Sequence, residues 1–119
     1  MNNKNIIKEF INFCKDYLGF KTNVKVILTK DRKKYNIETT AYYDLNGKVI
    51  CIYIKNRAII DILRSIAHEL VHHKQNEEGR INNHIKDGED GSEIENEANS
   101  KAGEIIRKYG KLNSKVYEN

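Results

Sequence analysis

The residues best equipped for chemistry in this chain are His68, Glu69 and His72, within the run Ser65-Ile66-Ala67-His68-Glu69-Leu70-Val71-His72-His73. In an α-helix, residues four apart lie one above the other on one face, so His68 and His72 can aim both imidazoles at a single ion. Glu69 is one residue, about 100°, further round the helix. That displacement takes it off the line to the ion and lets it reach a water held there, the position a general base needs.

The surrounding residues decide whether the pattern is more than coincidence. Ala58-Ile59-Ile60-Asp61-Ile62-Leu63-Arg64-Ser65-Ile66-Ala67, continued by Leu70 and Val71, repeats apolar residues at helical spacing and predicts a largely buried helix. Uncompensated buried polar groups cost a few kcal/mol each, roughly. Two histidines and a glutamate on such a helix therefore call for a shared partner, and a metal ion supplies one. The alternative is a pair of core histidines satisfied by hydrogen bonds.

The chain of 119 residues suits one domain with a single core. Lysines and acids are interspersed and the net charge is only +4, so no basic stripe suggests nucleic acid. No apolar run is long enough for a membrane span, and the N-terminal segment keeps Lys8, Glu9, Lys15 and Asp16 where a signal peptide would be apolar. A cytoplasmic location is expected. Cys14 and Cys51 each lie in an apolar run and read as buried thiols.

These residues need a scaffold, which the sequence outlines as α+β. Residues 5–18 form a core-packing helix stopped by Gly19. Three strands follow, at Asn23–Lys30, Ile37–Asp44 and Val49–Ile54. A polar turn over residues 31–34 separates the first two, and Leu45-Asn46-Gly47-Lys48 makes a hairpin of the last two. Asn56 is the expected cap of the histidine helix and Gly79 its end. Arg80–Gly91 reads as an acidic loop. Ser92-Glu93-Ile94-Glu95 is a capping box opening a last helix, which Gly110 is expected to close before a flexible polar tail at about 111–119.

Catalytic zinc takes three protein ligands and leaves its fourth position to water. Gln75 and Glu78 stand where a metzincin would have its Gly and third His, which rules that arrangement out. The remaining candidates are His84 and the glutamates of the last helix.

With its H-E-L-x-H run and the later Glu97-Ala98-Asn99-Ser100-Lys101-Ala102, the chain resembles the small gluzincin-type zinc metallopeptidases, in particular ImmA/IrrE-like domains, over about residues 24–106. The resemblance implies a zincin-like fold, one zinc per chain on His68, His72 and Glu97, and Glu69 as the base. It also implies hydrolysis of peptide bonds in a protein or peptide docked along an edge strand, expected to be Val49–Ile54. Gln75 replaces an apolar residue common in those domains. Lys101 stands where thermolysin-like enzymes have an Asp, leaving Asp61 and Glu104 as candidates to orient a ligand imidazole.

His73 reads as a solvent-facing neighbour or a transition-state donor, and His84 as an alternative ligand or oxyanion donor. Tyr42, Tyr43, Tyr53 and Tyr109 read as packing residues. The competing functions are a zinc domain without catalysis and a metal-free module binding an acidic partner.

Overall fold

The computed structural model describes residues 3–81 and 92–113. Helix α1 (Asn3–Leu18) buries Ile7, Phe10 and Cys14, a stripe at helical spacing. It ends where Gly19, at φ 75°, turns left-handed and returns its N–H to the Lys15 carbonyl. Strand β1 (Lys25–Thr29) follows, then the single helical turn α2 (Arg32–Tyr35). The sequence suggested only a polar turn there. Asp31 caps α2 by accepting from the Lys34 N–H, and Asn36, at φ 53°, terminates it.

Strands β2 (Ala41–Asp44) and β3 (Val49–Tyr53) form the expected antiparallel hairpin, with Asp44 opposite Val49. β1 pairs with β3 in parallel, so the sheet order is β1-β3-β2. The docking expectation for Val49–Ile54 is therefore corrected. β3 is the central strand and its backbone groups are engaged by a neighbour on each side. Burial of Ile50, Cys51 and Ile52 on both faces accords with that place. β2 also begins four residues later than predicted.

Helix α3 (Ile59–Glu77) carries the histidines. Its N-cap is Ala58, without a side-chain bond, and not Asn56, which lies left-handed at φ 57° in the turn before it. The first turn is held instead by Arg57, which donates to the carbonyls of Tyr53 and Asp61 and to the Ser65 hydroxyl. Gly79, at φ 72°, follows the end of α3 as expected.

Helix α4 (Glu93–Leu112) opens with Ser92 Oγ accepting the Glu95 N–H at 3.1 Å. It runs through Gly110, which is buried within the helix and does not end it. α4 packs on α3, and its buried face carries the small residues Ala98 and Ala102. Of the expected acidic loop Arg80–Gly91, residues 82–91 with His84 lie outside the described residues, as does the end of the tail, 114–119.

One core joins α1, the sheet, α3 and α4, and α3 contributes Leu63, Ile66 and Leu70, all fully buried. Each such side chain stabilises by roughly 1.5–3 kcal/mol. A typical hydrogen bond contributes about 1 kcal/mol net. Packing therefore fixes where α3 sits, and the polar groups of the site work from a helix already in place.

Candidate metal centre

His68 and His72 sit one turn apart on α3 with ring centroids 4.8 Å apart and planes at 85°. Their Nε2 atoms approach to 3.2 Å. From α4, the Glu95 carboxylate reaches both rings, Oε1 at 2.6 Å from His68 Nε2 and Oε2 at 3.1 Å from His72 Nε2. Ligand atoms on a tetrahedral zinc lie about 3.3 Å from one another, given Zn–N and Zn–O bonds near ~2.0–2.2 Å. Two of the three separations lie close to that spacing, while the 2.6 Å between His68 and Glu95 is a hydrogen-bond distance that an ion would have to open.

The hydrogen bonds behind the rings point the same way. His72 Nδ1 lies 2.8 Å from Gln75 Oε1, an acceptor, so Nδ1 must donate. In the neutral ring this leaves the Nε2 lone pair turned toward Glu95 and His68. A proton on His68 Nε2 or a metal ion can satisfy the lone pairs and carboxylate gathered on this point, and the donor set suits zinc. His68 is backed by Asn99, one turn beyond Glu95 on α4. Burial, and then the neighbouring His72, hold the His68 pKa below that of a free imidazole, against the pull of Glu95.

Glu69 comes within 4.8 Å of a ring nitrogen of each histidine and is only 8% exposed. Burial, with the Glu95 charge beside it, pushes its carboxyl up to about 8. These groups line an open cleft of about 730 Å³, bounded on one side by Thr39, Thr40 and β2 and on another by Arg57 and Arg64.

The third group differs from the sequence expectation. Glu97 does not meet the imidazoles, because its Oε1 accepts from Gln75 Nε2 at 2.8 Å and from Arg80 Nη1 at 2.7 Å. Glu95 takes the place expected of it. The reason is helical phase. The buried stripe of α4 runs through Ala98, Ala102, Ile105 and Tyr109, and extending it back three residues reaches Glu95. Glu97 lies about 200° round the helix from Glu95. That periodicity was present in the sequence.

The partners expected for the ligand rings also change. Asp61 pairs with Arg64 at 3.9 Å and Glu104 with Lys108 at 4.0 Å, and Gln75 and Asn99 back the imidazoles instead.

His73 is fully buried, so it is neither the solvent-facing neighbour nor the transition-state donor considered from sequence. One step round α3 from His72, it points at the sheet and at the chain entering β1. Its Nδ1 lies 2.8 Å from the Tyr43 hydroxyl, which itself accepts from Asn76 Nδ2 at 2.9 Å. Because Nε2 faces the Thr22 carbonyl, a pure acceptor, the neutral ring carries its proton there and Nδ1 accepts from the hydroxyl. On the other side Nε2–H donates to the Thr22 carbonyl at 3.1 Å. The Thr22 hydroxyl in turn donates to Glu77 Oε2 at 2.6 Å. Adjacent histidines are thus held in opposite tautomers, His72 with its Nε2 lone pair free and His73 locked into the framework.

Tyr43 and Tyr109 pack in the core as expected, Tyr109 against Phe10 and Phe13. Tyr53 is covered by the Arg32 guanidinium, 4.2 Å above its ring. Tyr42 borders the cleft. Cys14 and Cys51 are buried free thiols.

Compared with known proteins, the chain matches no family model, no curated protein and no solved structure.

Proposed function

We propose that this chain is a zinc-dependent peptidase in which His68, His72 and Glu95 hold one zinc ion and Glu69 is the general base. The observation that carries the reading is the meeting of two imidazole Nε2 atoms and the Glu95 carboxylate beside a buried glutamate at an open cleft. The H-E-x-x-H run and the resemblance to gluzincin-type domains support it, with the carboxylate ligand moved to Glu95. When bound, zinc would polarise a substrate carbonyl and lower the pKa of a coordinated water towards ~7.

The chain's own groups supply the rest. Glu69 takes the proton of the attacking water on a carboxylate oxygen and passes it to the leaving amine as the C–N bond breaks. Its scant contact with solvent favours transfer to the substrate over exchange with bulk water. β2 pairs only with β3 among the described residues, so its other edge can receive an extended substrate backbone alongside the cleft. Such pairing reads main chain before side chain, which fits a protein or peptide substrate.

The test is Glu69→Gln on zinc-loaded protein with an unfolded polypeptide as substrate. We expect unchanged zinc content and cleavage lowered by at least ~10²-fold, the lower range for a removed general base. Cleavage persisting at the wild-type rate would remove Glu69 from its role. Wild-type protein that binds zinc and cleaves nothing would favour a zinc domain without catalysis.

A further inference from the structure

The side chains behind His72 form a relay that the proposed chemistry does not use directly. Gln75 is fully buried and its amide has two distinct ends. Nε2 faces two pure acceptors, the Ile94 carbonyl at 3.1 Å and Glu97 Oε1 at 2.8 Å. Oε1 faces His72 Nδ1 at 2.8 Å. Glu97 is held in turn by Arg80 Nη1 at 2.7 Å.

We propose that Glu97, clamped by Arg80, locks the Gln75 amide in one orientation and thereby holds His72 in the tautomer whose Nε2 lone pair can bind metal. Glu97 and Gln75 are then positioning residues. The consequence for metal rests on the zinc reading above, whereas the tautomer itself does not.

Turning the amide over would set its oxygen against the Ile94 carbonyl and the Glu97 carboxylate, breaking two hydrogen bonds and adding two repulsions. It would also present an NH₂ group to Nδ1, which could then only accept. The ring proton would move to Nε2, 3.1 Å from Glu95 Oε2, where it would make a good hydrogen bond. That competing state closes the metal site, because a protonated Nε2 has no lone pair to give. With Glu97 removed, the Ile94 carbonyl alone among the described partners of Nε2 opposes the flip. α4 thus supplies Glu95 to the metal side of the ring and, two residues on, the group that fixes its far side.

The tautomer is read from the ring ¹⁵N shifts of His72 in metal-free protein, and zinc affinity by competition with a chromophoric chelator. Wild type should show protonated Nδ1. Glu97→Ala and Gln75→Leu should populate protonated Nε2 and weaken zinc by about 10–100-fold, the range for lost partners of a ligand histidine. Glu97→Gln, whose amide oxygen can still accept from Gln75, should stay near wild type in both readouts.

Protonated Nε2 in the wild type overturns the proposal, as does Glu97→Ala leaving tautomer and affinity unchanged. Zinc lost as completely in Glu97→Ala as in His68→Ala would make Glu97 a ligand and overturn it too. If wild type bound no zinc at all, the peptidase reading would fail, and the ring shifts of the metal-free protein would still decide this one.

Discussion

Replacing Tyr43 by Phe separates the framework role of His73 from the metal-binding role proposed for its neighbour. The substitution keeps the ring and deletes one hydroxyl, which donates to His73 Nδ1 at 2.8 Å and accepts from Asn76 Nδ2 at 2.9 Å. Asn76 Nδ2 keeps the Leu45 carbonyl at 2.9 Å and loses little. His73 loses more, because its ring is fully buried and, among the described residues, the Tyr43 hydroxyl is the hydrogen-bond partner of Nδ1. A buried acceptor left unpaired costs about 1–3 kcal/mol, so we expect a loss near 2 kcal/mol. For a domain of this size that corresponds to roughly 8 °C in melting temperature. Calorimetry or a dye-based melt measures it on metal-free protein, and zinc titration follows. The expected pattern is lower stability with unchanged zinc affinity, since Gln75 and Glu95 hold His72 independently of Tyr43. Unchanged stability, or zinc loss without a stability loss, would refute the hydrogen-bond directions assigned here.

Two further outcomes follow from the packing and charge around α3. Ala98→Leu inserts a large side chain at a fully buried position one turn from Glu95 on α4, and should cost about 1–3 kcal/mol by urea unfolding while weakening zinc binding by displacing Glu95. Glu77 accepts from the Thr22 hydroxyl and from the Thr22 and Lys21 N–H groups, and these bonds, led by the hydroxyl, hold its pKa down to about 2. The unfolded chain binds that proton first, so Glu77 contributes stability above the ordinary carboxylate pKa near ~4.5 that is lost as pH falls towards 2, and Glu77→Gln should flatten this part of the pH–stability curve.

The parts of the fold marked by periodicity were legible in the sequence. The apolar stripes of α1 and α3, the Leu45–Lys48 hairpin and the Ser92 cap all stand where their patterns put them. Strand order was not, because nothing local in Val49–Tyr53 says that β1 returns to pair with it in parallel. Its dense apolar character was a hint of the central position. Helix ends that depend on tertiary contacts differ from the pattern, as at Ala58, where α3 starts with no side-chain cap and Arg57 braces the turn by donating to carbonyls, and at Gly110, which packing keeps helical.

At the site, His68, Glu69 and His72 follow from spacing alone. The family-like run points to Glu97, whereas the phase of the buried stripe on its helix favours Glu95. His73 could not be placed from sequence, since its partners Thr22 and Tyr43 are 51 and 30 residues away.

The most direct test of the account is a crystal structure of zinc-soaked protein with the metal located by its anomalous scattering. A single zinc ion bound by His68 Nε2, His72 Nε2 and Glu95, with Gln75 still bridging His72 and Glu97, is the result we predict. Zinc bound by Glu97 in place of Glu95, or no zinc between the two imidazoles, would contradict it.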